Sequence, residues 1–108
     1  MALTPALITA SKLPNLRDPA VARICADRGV RRLALFGSRL RGTHGPDSDI
    51  DLLVEFKPGC VPGLLALSAF EIELGQLFGH KVDLRTPQDL SRHFRDDVLR
   101  SARTVYAA

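Results

Sequence analysis

The chain has 108 residues, 45 % hydrophobic and 25 % charged, the balance expected of one soluble globular domain. No uncharged apolar run approaches the ~20 residues needed to cross a bilayer, so no membrane role is expected. The net charge of +3 and pI near 9.3 invite a nucleic-acid partner. Aromatics are only 6 % and the basic residues are scattered, which disfavours direct nucleic-acid binding and leaves an anionic nucleotide or acidic protein as an equal explanation.

Residues 1–16 lack a basic stretch ahead of their apolar part and contain Pro5 and Pro14, so they read as a loosely ordered lead-in rather than a signal peptide. Asp18-Pro19 then marks a helix start, with Asp as N-cap and Pro at the first helical position. Val21, Ile24 and Cys25 follow at helical spacing, and Gly29 is placed to end the helix in the left-handed conformation. "RRLALF", 31–36, predicts a strand with Leu33 and Leu35 on one face. "GSRLRGTHGPDS", 37–48, is a loop with room for one helical turn from Ser38.

Residues 49–56 predict the second strand, and Pro62 opens a long helix over about 63–78. In that helix Leu67, Phe70, Leu74, Leu77 and Phe78 line one face, Glu71 and Gln76 lie away from it, and Gly79 stops it. The helix is apolar enough either to cover the sheet or to join a partner. "HKVDLRT", 80–86, predicts a third strand, and Thr86-Pro87-Gln88-Asp89 has capping-box character. "RDDVLRSARTVY", with Val98, Leu99 and Ala102, predicts a closing helix. The expected fold class is therefore α/β (α+β), a small mixed sheet covered by helices, over a single domain 1–108. Cys25 and Cys60 have no metal-type spacing and read as reduced cytoplasmic thiols.

The informative stretch is "GPDSDIDLLVEF", 45–56. On a strand, Ile50, Leu52, Val54 and Phe56 share a core face, and Asp49 and Asp51 share the other. The two acids then lie about 6.8 Å apart, at a rise of ~3.4 Å per residue. Two carboxylates at that spacing repel by roughly 2.4 kcal/mol at an effective dielectric of ~20. A cation relieves that repulsion, and Mg²⁺ prefers one or two carboxylates plus phosphate oxygens.

Asp83, an acid between Val82 and Leu84, supplies a third carboxylate if its strand pairs beside 49–56. Its competing role is a structural ion pair with Lys81 or Arg85. Gly37-Ser38, directly after a strand, lets the backbone approach phosphate. Gly-Ser spaced by ten residues from Asp-x-Asp fixes four positions, a coincidence expected in roughly one or two chains per thousand of this length. His44 reads as a solvated loop residue, and His80 and His93 have no ligand partner at useful spacing.

"LALFGSRLRGTHGPDSDIDLLVEF" followed by "HKVDLRT" resembles the minimal nucleotidyltransferases of the DNA polymerase beta superfamily, in particular the antitoxin of HEPN/MNT toxin–antitoxin pairs. The likeness runs from about Val21 to the end; Leu40 departs from it, where relatives often carry a small residue. The resemblance implies that Gly37 and Ser38 hold a triphosphate, with Arg41 and, less securely, Arg39 as further phosphate contacts. It implies that Asp49, Asp51 and Asp83 form the catalytic metal site, with two Mg²⁺ ions once nucleotide is bound and Asp83 helping to take the proton from an attacking hydroxyl. ATP is the implied substrate, and the implied partner is a HEPN RNase-like toxin that receives AMP on a tyrosine. Two alternatives stand beside this: neutralisation of the toxin by binding alone, and transfer to a small molecule or RNA end.

Overall fold

A computed structural model describes residues 16–37 and 49–108. Helix α1 (Pro19–Asp27) leads into strand β1 (Val30–Phe36), and strand β2 (Ile50–Phe56) follows. Helix α2 (Leu64–Phe78), strand β3 (Val82–Arg85), a 3-10 turn (Pro87–Asp89), helix α3 (Arg92–Ser101) and strand β4 (Arg103–Ala107) complete the order. The strands form one mixed sheet in the order β3-β2-β1-β4. β1 runs antiparallel to both β2 and β4, and β2 runs parallel to β3 with α2 as the crossover.

The local signals act where their chemistry puts them. Asp18 Oδ1 accepts the Ala20 N–H at 2.9 Å, and Pro19 sits inside the first turn of α1. α2 ends on Gly79 at φ 69°, whose N–H returns to the Gly75 carbonyl. After β3, Asp89 Oδ2 accepts both the backbone N–H and the hydroxyl of Thr86, which tightens the 3-10 turn. One face of the sheet carries the main core. Leu33, Leu35, Ile50, Leu52, Val54, Val82 and Leu84 meet Val21 and Cys25 of α1 and Phe70, Leu74 and Phe78 of α2. Burial of Cys25 pushes its thiol up to about 12, so it is an inert apolar filler at neutral pH.

The closing helix is shorter than its sequence suggests. The residues expected to continue it instead leave α3 at Ala102, whose φ of −62° and ψ of 138° are extended, and form β4. Val98, Leu99 and Ala102 keep helical spacing up to the break, but Thr104, Val105 and Tyr106 are β-branched or aromatic. As a strand they also cover the outer edge of β1, pairing Leu33 with Tyr106 and Leu35 with Arg103. Arg32 secures this turn, its guanidinium donating to the carbonyls of Leu99 and Ala102 and to the Thr104 hydroxyl. Among the described residues the sheet thus has four strands where the sequence predicts three.

The opposite edge is β3, and Glu71 guards it. Glu71, expected to lie away from the apolar face of α2, is instead half-buried and turned to this strand, and its Oε2 accepts the Leu84 N–H at 2.8 Å. Glu71→Ala strands a partly buried strand amide and is expected to lower stability by about 1 kcal/mol. Glu71→Gln keeps an acceptor and restores most of that loss; urea titration of the two variants measures the difference.

Candidate active site

The hydrophobic alternation that anchors β2 also aims its acids. Ile50, Leu52 and Val54 are fully buried on the core side, which turns Asp51 to the other face. Leu53, on that second face, is fully buried too, so the acids stand at the end of a covered surface rather than on a wholly solvated one. The registers place Phe36 opposite Asp51 on one side and Asp83 opposite Asp51 on the other. Phe36, Asp51 and Asp83 therefore form one row across three strands. The next row on this face is Ala34, Leu53 and Arg85, followed by Arg32 and Glu55. The face grades from acidic at one end, through the buried Ala34 and Leu53 with Arg85 at the β3 edge, to the ion-paired Arg31, Arg32 and Glu55.

Adjacent strands lie about 4.8 Å apart. At that spacing, two carboxylates at an effective dielectric of ~20 repel by up to roughly 3.5 kcal/mol. Cationic side chains offset the repulsion. Arg85 forks onto Asp83, with Nε 3.0 Å from Oδ1 and Nη2 3.2 Å from Oδ2. Lys81 Nζ stands 3.9 Å from Asp49 Oδ2. The Arg85 guanidinium is held above its ordinary pKa by the hydrogen bond to Asp83 and by that residue's charge. Desolvation opposes this, and the charges of Asp89 and Asp51 add smaller contributions in the same direction as Asp83. Arg85 is thus the cation that responds to this acidic end of the sheet.

Gly37 closes the site from β1. Its φ is 80°, a left-handed conformation that side chains resist. A Cβ there would lie 2.2 Å from Asp51 Oδ2, 2.9 Å from its Cγ and 3.0 Å from its Cβ. The glycine is what lets the strand end and the Asp51 carboxylate share this space.

Of the residues predicted for the site, the fold brings Asp51 and Asp83 side by side, with Gly37 against Asp51. Asp49 precedes β2 by one residue, on the side of Lys81. Ser38, Arg39 and Arg41 lie outside the described residues, as do Leu40 and His44. Among the described residues, no three histidine, cysteine or acidic side chains converge into a metal-ligating group. Both oxygens of Asp83 face Arg85 instead, which is the ion pair weighed against ligation in the sequence. The donor chemistry still fits a hard divalent cation, since Asp49, Asp51 and Asp83 present only carboxylate oxygens and two of them share one row. Arg85 itself was legible only as an alternative partner of Asp83; its i+2 position, which puts it on the same face, was the available signal.

The model of the nucleotidyltransferase domain family matches residues 19–105, a span that runs from the first residue of α1 into β4. The chain belongs to this family. Among curated proteins, the nucleotidyltransferase is 33 % identical over 95 residues to the protein adenylyltransferase MntA of Thermococcus cleftensis, covering 88 % of this chain and 94 % of the relative. A solved structure described as a candidate minimal nucleotidyltransferase is 35 % identical, with 91 % of each chain covered and a TM-score of 0.65. More remote in sequence, at 18 % identity and TM-score 0.61, is the antitoxin–toxin complex that contains a tri-AMPylated HEPN toxin of Shewanella oneidensis. That match covers 86 % of this nucleotidyltransferase and 71 % of the other chain, and at this identity it speaks for the fold. No helix among the described residues is long and apolar enough to cross a membrane.

Proposed function

We propose that this nucleotidyltransferase is a Mg²⁺-dependent antitoxin that transfers AMP from ATP to a tyrosine of a partner HEPN toxin in the cytoplasm. The observation that carries the reading is the row of Asp51 and Asp83 on one sheet face, closed by a left-handed glycine at the end of β1. The similarity to a named protein adenylyltransferase over nearly its full length supports the choice of reaction.

In this reading Gly37 and Ser38 present backbone N–H groups to the triphosphate, with Arg41 and Arg39 as further phosphate contacts. Asp49, Asp51 and Asp83 would hold Mg²⁺, two ions with nucleotide bound, and the metal would supply positive charge to the phosphates. Asp83 receives the proton of the tyrosine hydroxyl. The phenolic oxygen bonds to the α-phosphorus as the bond from that phosphorus to the pyrophosphate oxygen breaks, and pyrophosphate leaves. The acidic row stands at an edge of a small sheet, which suits an acceptor presented by another macromolecule.

The bidentate hold of Arg85 on Asp83 favours one other reading, neutralisation by binding alone with the acids idle. Incubation with ATP labelled at the α-phosphate, Mg²⁺ and the product of the neighbouring gene separates the two. Label on a partner tyrosine is the expected result. No transfer by the wild type, with neutralisation surviving Asp49→Asn/Asp51→Asn, overturns the proposal in favour of binding alone.

A further inference from the structure

Asp83 has two neighbours that compete for it. The parallel register delivers it to Asp51 and to the cation those acids would share, while the i+2 position of Arg85 delivers it to a guanidinium on the same face. Both Asp83 oxygens are engaged by that guanidinium, at 3.0 and 3.2 Å. The pair is open to solvent, with Asp83 34 % and Arg85 48 % exposed, and exposed pairs of this kind are weak and easily exchanged. It also borders a groove of about 280 Å³ between the first turns of α2 and β3, whose walls include Ser68 and Asp89. Arg85 has space into which to move and, in Asp89, a second acid whose charge it already senses.

We infer that Arg85 is a positioning residue that occupies Asp83 and yields it to the metal–nucleotide complex. The inference rests on the metal-dependent reading above and deepens it. The argument is one of charge and valence. Without a cation, adjacent carboxylates at the end of β2 and β3 need a positive neighbour, and Arg85 supplies it. When a divalent ion takes over that neutralisation, the guanidinium becomes a like charge beside it and the fork must open. Arg85 therefore sets a threshold: it competes with a bare ion for Asp83, and the competition weakens as salt screens it.

Titration of the full chain with Mn²⁺, followed by electron paramagnetic resonance, tests this apart from catalysis. Arg85→Gln is expected to bind Mn²⁺ threefold to tenfold more tightly than the wild type at low ionic strength, with a metal-free thermal midpoint lowered only by the little that an exposed ion pair contributes. Arg85→Lys, which keeps the charge but loses the fork, should fall between the two. A merely structural role would weaken binding and lower the midpoint together. Unchanged or weaker Mn²⁺ binding by Arg85→Gln, with binding still lost in Asp51→Asn, overturns the role of Arg85 and leaves the metal site standing. Absence of Mn²⁺ binding in both the wild type and Arg85→Gln overturns the metal-dependent reading and the inference with it.

Discussion

Asp51→Asn is expected to reduce nucleotidyl transfer on the order of a thousandfold while leaving the protein folded. Asp51 stands in the middle of the site, registered with Asp83 on β3 and with Phe36 on β1, and its carboxylate fills the space that Gly37 leaves. The substitution is nearly isosteric, so packing is preserved. It removes one negative charge from a pair of adjacent carboxylates and adds an amide that can donate to Asp83. Stability should change by no more than about 1 kcal/mol. The gap between a large loss of activity and a small change in stability makes the result diagnostic. A residue that matters only for folding would lose activity and stability together, whereas a ligand tolerated at the expense of repulsion loses activity alone. Single-turnover transfer from labelled ATP, read beside thermal unfolding, measures both. Transfer within tenfold of the wild type would remove Asp51 from the catalytic site.

The sequence announced this arrangement through alternation. Ile50, Leu52 and Val54 fix which way β2 faces, so the side on which Asp51 emerges is decided by local pattern alone. The same holds for Val82 and Leu84 around Asp83. That the two strands are neighbours, and run parallel with Asp51 beside Asp83, depends on α2 as a crossover, which its length and apolar face make legible. β4 was hidden because its deciding partner is remote: only the bare edge of β1, some seventy residues earlier, favours a strand over another helical turn at Arg103–Ala107. The helical spacing of Val98, Leu99 and Ala102 argued the other way and was locally correct. The Arg85–Asp83 contact was legible as geometry but not as an outcome, since alternation puts both an acid and a guanidinium on one face without saying which neighbour the acid chooses. The site is accordingly a product of short-range pattern, and its resting electrostatics are a product of packing.

Gly37→Ala is expected to be the most damaging glycine-to-alanine change among the described residues for activity. Two independent costs coincide there. The φ of 80° charges any residue with a Cβ about 1–2 kcal/mol for the left-handed conformation. The new carbon would also meet Asp51 at 2.2 Å from Oδ2, and its contacts with Asp51 Cγ and Cβ mean that a turn of the carboxyl alone does not clear it. Either the end of β1 or the Asp51 side chain must move, by a distance on the scale of 1 Å. Displacements of that size at a reacting centre cost on the order of a hundredfold in rate. Gly79→Ala is the matched control. Gly79 has a φ of 69°, but nothing lies within 4 Å of the position its Cβ would take. Both substitutions should lower the thermal midpoint through the backbone, Gly37→Ala more so, and only Gly37→Ala should cut transfer measured at a temperature where both variants are fully folded. Equal activities in the two variants under that condition would show that the close approach of Gly37 to Asp51 serves the fold and not the chemistry.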